Sequence, residues 1–147
     1  MRCGGWKRRF WHGGCRGWTT YHEPWTIKYE AMTEEGYHQK SGRLMDTYVH
    51  DVYSVTKRFP REELYGTTSQ FRRATLSIIL NHIEGYSRGR EKVYKNFLET
   101  SLGSLKESKY LVGFCFKEGF LDNDDYLRLY KQVDEVGAML WGTLRKM

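Results

Sequence analysis

The chain has 147 residues, of which 29% are charged and 16% aromatic, and a formal net charge of +6. This length suits one domain with a real core, and the charge and aromatic content exclude a chain disordered throughout. Its apolar runs, of which LVGFCF at 111–116 is typical, fall far short of the roughly 18 residues of a membrane span, so no membrane helix is expected.

Residues 1–36 differ from the rest. MRCGGWKRRFWHGGCRGWTTYHEPW holds four Trp and five Gly with no helical or strand period. Such text cannot build a small core, and it predicts a disordered or loosely attached extension ahead of a folded domain at 37–147. Met32 opens a more ordinary text, MTEEGYHQKSG, and marks an alternative start. Residues 1–31 carry six Lys and Arg against two acids, and residues 32–147 carry 18 against 16. Most of the basic excess thus lies in the extension, and the overall charge alone says little about partners. Interleaved Arg and Trp suit an RNA-binding arm, since bases stack on rings and phosphates meet Arg. Cys3, His12, Cys15 and His22 have a spacing no standard zinc site uses. The basic start lacks an apolar stretch after it, so no secretory signal is expected. The odd count of three cysteines fits a reducing cytoplasm.

Four helices are predicted after the extension. The first spans about 42–57, with Met45, Val49, Val52 and Thr56 on one face and Tyr48 and Val55 beside it. Phe59-Pro60 ends it. The second begins at TTSQ, where Thr67 and Gln70 have capping-box spacing, and runs to about 86. The third spans 91–117, with Val93, Phe97, Leu98, Leu102, Leu105, Val112 and Phe116 recurring at threes and fours and Gly119 as its stop. The fourth opens at DNDD, whose acids suit a helix N-terminus, and carries a seam of Tyr126, Tyr130, Val133, Gly137, Leu140 and Leu144. Four long helices with short connections and no strand alternation make an all-α fold, an antiparallel up-and-down four-helix bundle.

The second helix has an unusual polar set. At about 100° per residue, Gln70, Arg73, Ser77, Asn81, Glu84 and Arg88 share an arc about 80° wide. Apolar residues spread over the remaining arc of about 240°, interrupted by Arg72, Thr75 and His82, where a monomeric bundle needs little over 100°. The width predicts a second buried contact, with another subunit. The stripe is either a solvated face or a fixed set in which Arg73, Asn81 and Glu84 bond one another and the small Ser77 lets a neighbouring helix approach. In the second case it sets helix register or lines a subunit interface.

FPREELYGTTSQFRRATLSIILNHIEGYSRG, together with FLETSLGSLKES, resembles the small bacterial four-helix bundle proteins first met in intervening sequences of 23S ribosomal RNA genes. The resemblance covers residues 44–144 and rests on Gln70, Arg72-Arg73-Ala74, Ser77-Ile78, Asn81, Glu84-Gly85, Arg88, Gly103-Ser104 and Glu107 at these spacings. Ile79 stands where the family often has Pro, and His82 and Ile83 where it has small or aliphatic residues. The resemblance implies a homo-oligomer, with a pentameric ring as the expected form. It also brings in relatives that are accessory proteins to reverse transcriptases of diversity-generating retroelements, where a basic surface meets nucleic acid and polymerase. It implies no enzymatic activity, cofactor or small-molecule substrate.

The expected function is therefore a cytoplasmic, non-enzymatic adapter that binds RNA or a ribonucleoprotein. Arg72, Arg88, Arg90, Lys92 and Lys95 are the candidate phosphate contacts, because residues 72–95 hold six bases against Glu84 and Glu91. The alternative is a protein-interaction module without nucleic acid, favoured by the near-neutral body. A ribonuclease built on Arg43 and His50 is disfavoured, since no polar companion tunes the His. Cys115, within LVGFCF, reads as core rather than nucleophile. All apolar periodicity follows Ser41, so a truncation that starts at Met32 should keep its helical circular dichroism and its melting temperature. A large loss of either would make the extension part of the core.

Overall fold

The computed structural model describes residues 36–147, and these form an all-α, up-and-down four-helix bundle. Its helices are α1 (Tyr37–Thr56), α2 (Thr67–Ser87), α3 (Glu91–Lys117) and α4 (Asn123–Leu144), with a 3-10 turn at Arg61–Glu63 before α2. Each helix packs on its two neighbours around a square: α1 on α2 and α4, α2 on α3, and α3 on α4. The extension expected at 1–36, with its zinc and RNA-arm readings, lies outside the described residues except for Gly36.

The helix ends follow the local chemistry, with one exception. Asp122 caps α4, its Oδ1 accepting from the Asp125 N–H at 2.8 Å. Gly119, at φ +74, closes α3. The Phe120 N–H reaches back to the Cys115 carbonyl at 2.8 Å and the Gly119 N–H to that of Phe116 at 3.1 Å, so two orphan carbonyls are satisfied. The capping box at Thr67 does not form. Gly66 is the N-cap of α2, and Glu63 of the 3-10 turn accepts from the Thr67 N–H at 3.1 Å instead, which leaves Gln70 free to reach α3. α1 also starts at Tyr37 rather than near Gly42. Tertiary contacts override the weak local propensity there: His38 packs on Tyr86 and Tyr94, and the Ser41 hydroxyl donates to the His38 carbonyl.

The core runs the length of the square. Val52, Phe71, Leu98, Val112, Leu129 and Val133 are fully buried, and every apolar residue expected on the inner face of α1 is buried with them. On α4 the buried stripe is Leu129, Val133, Val136, Leu140 and Thr143. Tyr130, assigned to the seam from sequence, is 37% exposed and leans on Tyr126, which stacks on Phe116 of α3 at 4.3 Å between centroids. Tyr130, Gly137 and Leu144 of the expected seam each sit one residue beyond the buried Leu129, Val136 and Thr143, while Val133 and Leu140 belong to both.

α2 and α3 meet through small and hydroxylated residues. Ser77 and Ser104 bond across the pair at 2.9 Å, and Ser101 donates to the Ile78 carbonyl at 2.8 Å. Deeper in, Ser108 bonds both Tyr48 of α1 at 2.7 Å and Thr75 of α2 at 3.1 Å. These bonds satisfy hydroxyls that are otherwise expensive to bury and pin three helices in one register. At Gly85 the helices are so close that a Cβ would stand 2.6 Å from Phe97 Cβ and 2.9 Å from Tyr94 Cδ2.

Gly85→Ala should therefore lose about 1–3 kcal/mol to overpacking, more than the gain of about 1 kcal/mol in helix propensity. Gly42→Ala, whose Cβ meets nothing within 4 Å, should gain stability instead. Denaturant melts of the two variants check this, and a stabilised Gly85→Ala would contradict the close approach.

Candidate functional site

Up-and-down topology sorts the chain into two ends. The N-terminus of α1, the α2–α3 turn and the C-terminus of α4 share one end; the α1–α2 connection and the α3–α4 turn share the other. Side-chain contacts hold each end together. His38 of α1 meets Tyr86 of α2 and Tyr94 of α3 at the first, while Phe59 packs on Phe120 and Arg58 pairs with Asp122 and Asp125 at the second.

The ends differ in charge. Residues 36–43, 84–95 and 141–147 hold eight bases (Lys40, Arg43, Arg88, Arg90, Lys92, Lys95, Arg145 and Lys146) against Glu84 and Glu91. All eight bases are exposed. Residues 57–66 and 115–125, at the far end, hold four bases against six acids. The bundle thus has a basic pole and a mildly acidic one. Charges clustered in this way sum to a local positive potential that scattered charges do not produce.

Four of the five candidate phosphate contacts stand at this pole: Arg88, Arg90, Lys92 and Lys95. Arg88 is ion-paired with Glu84, one turn back on α2, which reduces what it offers a ligand. Arg72 stands apart. Its Nε donates to Thr56 Oγ1 at 2.8 Å and its guanidinium lies 4.9 Å from the Tyr53 ring centroid, so it ties α2 to α1. Sequence reasoning did not place Lys40, Arg43, Arg145 and Lys146 among the phosphate contacts. The signal was the topology itself, since four antiparallel helices must bring both chain ends of the bundle to the α2–α3 turn.

A cluster of rings underlies the pole. His82 is wholly buried, with Tyr94 OH 3.3 Å from Nδ1 and Ser41 Oγ 3.4 Å from Nε2. Tyr94 OH also lies 3.1 Å from His38 Nδ1. Burial, assisted by repulsion from His38, pushes the His82 pKa from 6.5 down to about 4. Desolvation lowers that of His38 as well. Both rings are therefore neutral at neutral pH and serve as packing that joins α1, α2 and α3 beneath the basic groups.

The polar stripe of α2 lines a separate cleft of about 450 Å³ on the outer side of the α2–α3 pair, and Ser104 and Glu107 complete its wall. The expected bonds among Arg73, Asn81 and Glu84 do not form. Asn81 Nδ2 donates to the Ser77 carbonyl at 2.7 Å and to Ser77 Oγ at 3.0 Å, Glu84 pairs with Arg88, and Gln70 donates to Glu107. Arg73 has no hydrogen-bond or ion-pair partner among the described residues. The stripe therefore holds α2 to α3 through Gln70 and Ser77 and leaves one free guanidinium in the cleft. Burial within the single chain accounts for most of the wide apolar arc. Phe71, Ala74, Ile78 and Ile79 are buried, Leu76 and Ile83 are half-buried, and Leu80 at the cleft's edge is 58% exposed.

Elsewhere the chemistry is sparse. Contrary to the expectation that His50 has no polar companion, Asp46 lies one turn back at 3.7 Å, but the His50 side chain is 78% exposed on an open helix face and no bond links it to Arg43. Cys115 is wholly buried, and desolvation pushes its thiol up to about 12. Among the described residues no group of His, Cys, Asp or Glu has metal-binding geometry, and no helix is long and apolar enough to cross a membrane.

The fold and site define a small four-helix bundle with one basic end. The chain belongs to the 23S rRNA-intervening sequence protein family, whose model matches residues 39–142. It is similar to a solved protein of unknown function from the S23 ribosomal protein family of Bacteroides thetaiotaomicron. The TM-score is 0.68 at 15% identity, over 73% of this chain and 96% of that one, a likeness of fold. No curated protein matches the chain.

The ring cluster has a pH consequence. An unfolded His82 takes up a proton near pH 6.5, and the folded one resists it down to about 4. Its neutral burial thus stabilises fully above 6.5, and that contribution is lost as pH falls towards 4, by up to about 3 kcal/mol. Denaturant midpoints of the wild type should drop more steeply over this window than those of His82→Gln. Parallel curves would contradict the buried neutral ring.

Proposed function

We propose that the chain is a non-enzymatic, homo-oligomeric adapter of the cytoplasm that binds RNA, or an RNA–protein complex, through its basic pole. The observation that carries this is the segregation of eight exposed bases against two acids at one end of the bundle, whose residues 36–147 hold 18 Lys and Arg against 14 acids in all. Phosphate contacts release counterions whatever the base sequence, so such a surface binds RNA weakly and with little sequence preference. The family supports assembly, with a pentamer as the form the resemblance implies. Leu80, Tyr110 and Leu127, all more than half exposed, are apolar surface that a subunit contact would cover. A ring whose axis follows the bundle axes would gather the basic poles on one face, and linked contacts raise avidity by about 10²–10⁴. A reverse transcriptase is the protein partner that the same resemblance offers.

The second reading is a protein-interaction module without nucleic acid, which the same exposed apolar residues favour. Salt dependence separates the two. Changing Arg88, Arg90 and Lys92 together to Gln should flatten the slope of log affinity against log salt by about 1–2, at about 0.7 per single-strand phosphate contact. The lower figure applies if Arg88 stays committed to Glu84. RNA titrations at several salt concentrations, with native mass to confirm the oligomer, make the measurement. An unchanged slope, or no binding by the wild type at low salt, would favour the protein-interaction reading.

A further inference from the structure

A groove runs from the basic pole along the outer side of the α3–α4 pair. Near the pole it encloses about 470 Å³ among Lys95, Glu99, Leu102, Lys106, Trp141 and Arg145. It continues over Gly137 and Ala138 into a further 320 Å³, with Leu102, Lys106 and Trp141 shared between the two parts. At Gly137 the two helices are in close contact, since a Cβ there would stand 3.0 Å from Leu105 Cδ2.

Three features of the groove concern its ligand. Trp141 is 55% exposed, although it lies next to the fully buried Leu140. Lys95, Lys106 and Arg145 have no ion-pair partner among the described residues. Of the two carboxylates, Asp134 is already paired with Lys109, which leaves Glu99 alone against three free cations. A flat, polarisable ring beside uncompensated cations is complementary to a ligand that has an aromatic face and carries negative charge.

We propose that this groove is a single-stranded RNA site, in which an unpaired base stacks on Trp141 and the flanking phosphates meet Lys95, Lys106 and Arg145. The inference rests on the RNA-binding reading and adds to it a location and a strand preference. The pole attracts any polyanion, whereas a base can stack on Trp141 only if it is free of its own duplex. Lys95 and Arg145 belong to both surfaces, so a strand captured at the pole leads directly into the groove.

The test titrates the full-length protein with a single-stranded oligoadenylate and with an RNA duplex. Trp141→Ala should weaken single-strand binding by about 5- to 100-fold and leave duplex binding within about twofold. Trp141→Phe should retain most of the affinity. Lys106→Gln should flatten the single-strand salt slope by about 0.7. If the wild type binds both RNAs and Trp141→Ala binds them equally well, the stacking site is overturned and the RNA reading stands. If the wild type binds neither, both fall. Native mass is measured alongside, and a Trp141→Ala variant that loses its subunits would assign the groove to assembly and overturn the proposal.

Discussion

The architecture depends on how closely α2 and α3 approach. Gly85 lies against the Cβ of Phe97, Ser77 bonds Ser104, and Ser101 caps the Ile78 carbonyl. Larger side chains at these positions would force the pair apart, and a slip along the axis would break the Ser77–Ser104 bond and leave the Ser101 hydroxyl unpaired in a dry interior. The bond from Ser108 to Tyr48 carries the same register to α1. Once this seam is fixed, the short turn after Ser87 is fixed too, and with it the position of Arg88, Arg90 and Lys92 above the buried rings of His82 and Tyr94.

Core and surface then do separate work. Inside, the hydroxyls of Thr75, Ser108 and Tyr48 bond one another. Outside, charge is arranged by topology rather than by local sequence. Lys40, Arg90 and Arg145 are far apart in the chain and share one end of the bundle, while Asp122, Asp124 and Glu118 lie at the other. The far pole answers its acids locally, with Arg58 pairing to Asp122 and Asp125. The basic pole has two acids for its eight bases, and this imbalance is the physical basis for proposing that it meets a polyanion.

Helical periodicity made the four elements legible, and the inner face of α1 follows from Met45, Val49, Val52 and Thr56 without correction. Periodicity is less decisive where two faces are apolar. On α4 Leu129 and Tyr130 lie four and three residues before the buried Val133, and both spacings suit a helix, so spacing alone does not choose between them. Most of the wide apolar arc of α2 is buried by α1 and α3 of the same chain. His82 and Thr75, taken as interruptions of that arc, are buried, since hydrogen bonds from Tyr94 and Ser108 admit them to the interior. Such pairings join residues on different helices, and a single sequence has no local signal for them. The same holds for Gln70, whose partner on α3 replaced the expected cap, and for Trp141, which only the packed α3–α4 groove brings beside Lys95 and Lys106.

The claim that the basic pole is the face that meets RNA is tested most directly by mapping contacts. RNA bound to the full-length protein would be photo-crosslinked, and the linked peptides identified by mass spectrometry. Within residues 36–147 the account predicts crosslinks in 36–43, 84–95 and 141–147 and along the adjoining α3–α4 groove. Crosslinks concentrated in 57–66 and 115–125, or spread evenly over both ends, would contradict it.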